Sequence, residues 1–179
     1  MNNSKIRWIT QTAIFIALLV VLQGATVALN NQIITGSCVN LVLIVSTIMC
    51  GLPSGLTVAA LSPFFAKMFG IGPALLPIVP AIAVGNIVLV LIWALLPKLL
   101  KKPDCIICNG VTAVVAAFVK FVTLNTLIVK FLIPTVLKLP EKQAAVMSVN
   151  FGVLQFTTAL IAGVIAVLII PVLRKAIKK

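Results

Sequence analysis

Apolar runs of about 20 residues or more follow one another along this chain, and that is the length a helix needs to cross a bilayer. The first runs from about Ile6 to Leu29 and is closed by Asn30, Asn31 and Gln32. The stretch from Gly36 to Gly70 is too long for one span. Gly51-Leu-Pro-Ser-Gly55 cuts it near the middle, because glycine and proline end helices, leaving two rather short ones at about 36–50 and 54–69. A loop with Gly70, Gly72, Pro73 and Pro77 follows, and Pro80 suits the first turn of a fourth helix reaching about Leu100. A fifth helix is expected from about Asn109 to Ile133 and a sixth from about Gln143 to Ile170. The expectation is an all-α integral membrane bundle of six transmembrane helices, a single domain over residues 1–179.

Composition agrees. The chain is 62% apolar and 9% charged, against about 25% charged in a soluble domain, and its mean hydropathy is +1.29. The first apolar run is long enough to span, so it reads as a retained helix and not as a cleaved signal. The net charge of +12 does not imply nucleic acid. Nine of the fourteen basic residues flank apolar runs: Lys5 and Arg7; Lys98, Lys101 and Lys102; Arg174, Lys175, Lys178 and Lys179. The positive-inside rule puts such clusters, and with them both termini, in the cytoplasm. Lys67, Lys120, Lys130, Lys138 and Lys142 fall in the outer half or outer loops. Cys105 and Cys108 form a lone CxxC with no second pair and no histidine in the chain, so zinc lacks ligands.

Polar side chains inside a membrane bundle face its interior or a cavity. Depths follow from about 1.5 Å per residue: Asn40 about 6 Å from the outer end, Asn86 about 9 Å, Asn125 about 12 Å, Asn150 about 10 Å and Gln155 about 18 Å. Gln23 is also in the outer half, whereas only Gln11 and Asn109 among the amides lie near the inner ends. One-sided polarity predicts an outward-opening pocket above a dry inner half, although each amide can also simply bond a neighbouring helix. Lys120 is deeper, about 20 Å from the outer end, where a lysine costs a few kcal/mol. The only acids, Asp104 and Glu141, fall in expected loops. Lys120, Thr123, Leu127 and Lys130 share a helical face that could receive an anionic ligand. Alternatively, Lys120 snorkels, loses its proton or bonds backbone carbonyls.

Ala13, Ala17, Gly24 and Ala28 make a stripe of small residues on helix one, and Ala159, Gly163 and Ala166 make another on helix six. Such stripes let helices approach closely, within the chain or between chains. The absences narrow the function. The chain holds no histidine, no tyrosine and no expected intramembrane carboxylate, so acid–base catalysis and a proton relay are poorly equipped, and no Walker A sequence is present. A non-enzymatic binding protein energised by another subunit fits what remains. A channel or a scaffold subunit are the readings from other classes; a channel would need polar residues through the inner half.

In order along the chain stand Ile34-Thr-Gly-Ser-Cys-Val-Asn-Leu41, Gly51-Leu-Pro-Ser-Gly55, Leu61-Ser-Pro63, the run from Gly70 to Pro80 followed by Gly85-Asn86, and Gln155-x6-Ala162-Gly163. The set resembles the substrate-binding S component of energy-coupling factor (ECF) vitamin transporters. The resemblance implies a prokaryotic plasma-membrane protein working with a transmembrane coupling subunit and two cytoplasmic ATPases, which alone use ATP. It implies capture of a vitamin from outside and its release inside by toppling. It also makes Ala13 and Ala17 the contact with the coupling subunit. The family's pocket is where Asn86, Lys120, Asn125, Asn150 and Gln155 fall, and Asn40 is added on polarity. Lys120 and Lys130 favour an anionic ligand such as pantothenate, with cobalamin the runner-up.

Overall fold

The structure, a computed structural model, describes residues 3–29, 31–70, 75–100 and 105–177. Lys101, Lys102, Asp104, Lys178 and Lys179, and Gly72 and Pro73 of the expected loop, lie outside the described residues. All regular structure among the described residues is helical: α1 (Asn3–Val27), α2 (Gln32–Cys50), α3 (Leu52–Met68), α4 (Ile78–Leu99), α5 (Ile106–Leu124) with a π-wound continuation (Asn125–Leu137), α6 (Glu141–Phe151) and α7 (Val153–Ile177). Five helical stretches are long and apolar enough to cross a membrane, namely those over Lys5–Thr26, Gln32–Cys50, Ile78–Leu99, Ile106–Leu137 and Glu141–Leu173. α3, with 17 residues, is shorter than all five.

Local chemistry explains the boundaries. Asn31 caps α2, its side-chain oxygen accepting from the Ile33 N–H at 2.9 Å. That starts α2 four residues earlier than expected and puts Asn40 about 12 Å below its end, not about 6 Å. α2 and α3 are joined by Gly51 alone, at φ 85°, a left-handed backbone that glycine adopts without a side-chain penalty. The expected sixth helix is two. It breaks at Gly152, where an added Cβ would sit 2.5 Å from the Ser148 carbonyl oxygen. The fifth helix does not end at Ile133 but continues with π winding, closed by the Lys138 N–H donating to the Ile133 carbonyl at 2.8 Å.

Short connections make α1 to α5 successively antiparallel, so their ends alternate, while α6 and α7 share one span broken at Gly152. α2, α4, α5 and α7 pack together around a core that includes Leu43, Ile44, Leu89, Val90, Ala116, Ala117 and Ala162. A smaller cluster of Ile78, Leu124, Ile128, Ile133 and Phe151 holds α6 and the π-wound segment against the start of α4. Large apolar side chains, among them Ile14, Val21, Phe118, Val164 and Leu168, remain exposed around the outside. That surface suits hydrocarbon and not water.

The two small-residue stripes separate cleanly. Ala159, Gly163 and Ala166 are buried, and a Cβ on Gly163 would lie 2.7 Å from the Ala113 Cβ of α5. Ala13, Ala17, Gly24 and Ala28 are exposed, with nothing within 4 Å of a Cβ on Gly24. Gly163→Ala is therefore expected to destabilise by about 1–3 kcal/mol through overpacking. Gly24→Ala, which meets nothing, should hold or slightly raise stability through helix propensity. Thermal unfolding of both variants in detergent checks the pair, and equal losses would contradict this packing.

Candidate functional site

The turns after α1 and α3, the starts of α2 and α4, and the α6–α7 break all lie at one end of the bundle, and a cavity of about 600 Å³ opens there. Its lining descends from Asn31, Gln32 and Gly70 at the rim to Asn40, Asn86 and Lys120 at the floor. Those three floor residues are at most 3% exposed.

α5 sets Lys120 on its buried face, in register with Ala113, Ala116, Ala117 and Leu124. The amine then meets two amide oxygens, Asn40 Oδ1 at 2.6 Å and Asn86 Oδ1 at 2.7 Å. Because both oxygens face a donor, both amide nitrogens must point away, and each finds a hydroxyl. Asn86 Nδ2 donates to Ser62 Oγ at 2.9 Å, and Asn40 Nδ2 donates to Thr158 Oγ1 at 3.3 Å. Ser62 Oγ in turn donates to the Ala59 carbonyl at 3.1 Å, a group whose usual helical partner is missing because residue 63 is proline. Thr158 Oγ1 donates to the Gln155 carbonyl at 3.2 Å. Two relays thus run outwards from one lysine and tie together α2, α3, α4, α5 and α7.

This is neither snorkelling nor bonding to backbone carbonyls: side-chain amides hold Lys120. Glu141, the sole acid among the described residues, is exposed in the first turn of α6. An ammonium has three donors, and the two asparagines take two of them.

Of the residues expected at the site, Asn40, Asn86, Lys120, Asn150 and Gln155 all line this cavity. Asn125 does not. It is five residues beyond Lys120, roughly 140° round the helix, and is half-buried where π winding begins. The shared face of Lys120 and Lys130 fails for a related reason. The winding changes after Leu124, Lys130 is exposed, and Thr123 Oγ1 donates to its own helix at the Val119 carbonyl. Lys67 lines the cavity instead. Gln23, Ser62 and Thr158 were missing from the expected set although each is at most 2% exposed and lines the cavity. The Ser62-Pro63 pair carried a signal, since a proline frees a carbonyl for a neighbouring hydroxyl.

The opposite end is not wholly dry. Thr12 and Ser54 share a buried hydrogen bond of 2.8 Å, and a cavity of about 200 Å³ lies among Thr47, Trp93, Lys98 and Asn109. Between the two cavities α2, α4 and α5 present buried apolar groups: Leu43 and Ile44 on α2, Leu89 and Val90 on α4, Ala113, Ala116 and Ala117 on α5, with the buried Ser46 hydroxyl bonded to its own helix at the Leu43 carbonyl.

Asn86→Leu should destabilise by about 1–3 kcal/mol, because it removes one acceptor from Lys120 and the donor to Ser62 inside a buried network. Asn125→Leu, outside the network, should cost far less; the comparison is again read from thermal unfolding, and a reversed order would be incompatible with this site. Comparison with protein-family models, with curated proteins and with solved structures found no match to this chain.

Proposed function

We propose that this chain is the membrane-embedded substrate-binding subunit of an ATP-driven importer of the ECF type, capturing a vitamin or vitamin precursor outside and delivering it inside. The observation that carries the reading is the cavity at one end of the bundle with the buried Lys120–Asn40–Asn86 cluster as its floor. A volume of about 600 Å³ falls within the range of small-molecule pockets and favours a ligand of pantothenate size over cobalamin. An anionic ligand suits Lys120, which has no carboxylate nearby among the described residues. Asn150 and Gln155 would supply neutral hydrogen bonds nearer the mouth.

The apolar layer beneath Lys120 supports a carrier cycle and counts against an open channel, since a bound solute cannot cross it without a change of conformation. In this proposal α3 is the sixth span, the termini are cytoplasmic, and the cavity opens outwards. The exposed Ala13 and Ala17 on α1 would receive the transmembrane coupling subunit, which is driven by two cytoplasmic ATPases. Delivery follows by toppling of this subunit against its coupling partner.

Native mass spectrometry of the gently purified protein should release one small molecule bearing a carboxylate or phosphate. Failure to find one, with no binding from a vitamin panel, would leave the scaffold reading in its place. Asn86→Asp should keep the fold while lowering affinity for an anionic ligand at least tenfold, because the new carboxylate pairs with Lys120 first. Unchanged affinity would remove Lys120 from recognition. Tags on the two termini should both resist protease in right-side-out vesicles and be cleaved in inverted ones, whereas opposite behaviour of the two would exclude six spans.

A further inference from the structure

Gln23 on α1 is 2% exposed and lines the cavity. Its Nε2 donates to the Ser62 backbone carbonyl at 3.4 Å. A carbonyl only accepts, so this contact fixes which end of the amide faces α3. The other end, Oε1, is buried and has no hydrogen-bond partner among the described residues. A buried acceptor in that condition is costly unless something donates to it.

Lys120 has the complementary need. Asn40 and Asn86 accept two of the three donors of its ammonium form, and no other acceptor among the described residues takes the third. Both groups line one cavity and are linked through Asn86 and Ser62. Val79, Ile82 and Met147 supply apolar lining alongside them.

Resting on the binding-subunit reading, we propose that the ligand is a small organic anion that also carries a hydrogen-bond donor. Lys120 receives its carboxylate or phosphate, and Gln23 Oε1 receives its hydroxyl or N–H. A body of aliphatic character joins the two and packs on the apolar lining. Gln23 is then a specificity-determining residue: it discriminates against anions of the same size that lack the donor, because they leave its oxygen buried and unpaired.

Three probes on one carbon skeleton test this: 6-hydroxyhexanoate, hexanoate and 6-hydroxyhexanamide, titrated calorimetrically into the full chain in nanodiscs. The hydroxy acid should bind about tenfold tighter than hexanoate, the factor expected for satisfying one buried acceptor. It should also bind tighter than the uncharged amide. Gln23→Met, similar in volume, should abolish the hydroxyl preference and keep the preference for carboxylate over amide. Equal binding of 6-hydroxyhexanoate and hexanoate by the unmodified protein overturns the proposal, as does a hydroxyl preference that survives Gln23→Met. The first comparison needs no variant, so if Gln23→Met misfolds, equal binding of the two acids by the unmodified protein still overturns the proposal. A ligand found by native mass spectrometry but indifferent to the hydroxyl removes this inference alone. No bound molecule there, and no binding of any probe, removes the binding-subunit reading with it.

Discussion

A lysine in the interior of an apolar bundle has to find acceptors or be driven to the surface, and Lys120 finds two amide oxygens within 2.7 Å. The rest of the cavity end depends on that arrangement. Once the amine fixes the two oxygens, the nitrogens of Asn40 and Asn86 have one direction left to point, and Ser62 and Thr158 are placed to meet them. The hydroxyls pass the demand on to backbone carbonyls at Ala59 and Gln155. Each group in the chain of bonds is held by the next, and a buried network connected in this way holds helices in one register. Amides as partners leave the lysine without an opposing carboxylate among the described residues, so charge complementarity remains open to a ligand.

Beneath this network the helices contribute mostly apolar groups, Leu43 and Ile44 on α2 and Ala116 and Ala117 on α5 among them, and the buried Ser46 hydroxyl is turned back onto its own helix at the Leu43 carbonyl. Interiors of that density do not deform continuously. A solute held at Lys120 would therefore reach the other side only by movement of the whole subunit or of helices against one another. This is why the polarity of one end and the dryness of the middle have to be considered together.

Close packing is distributed unevenly in the same way. α7 uses Gly163 to bring its backbone against α5, and α4 uses Gly85, where an added Cβ would meet the Leu124 side chain at 2.6 Å. α1 contributes no such buried stripe to the bundle, and its small residues look outwards. A stripe of alanine and glycine has the same appearance in sequence whether it faces a neighbour in the chain or a separate one.

The run lengths and the scarcity of charge determined by themselves that this chain makes apolar helices of membrane-spanning length, because no other structure satisfies the backbone in hydrocarbon. Local chemistry also made Gly51 legible as a turn, and the one-sided distribution of amides made the cavity end legible. The sequence could not say that Asn40 and Asn86 meet Lys120, since they stand 80 and 34 residues away from it and their convergence is a property of how α2, α4 and α5 pack. Asn125 lies off the cavity because depth along a helix says nothing of angle around it, and Lys130 because π winding alters the angle after Leu124. Gln23 became a site residue only when tertiary contact with Ser62 committed one end of its amide and left the other facing no partner. Composition and periodicity decide what must be buried; only the packed helices decide which buried groups meet.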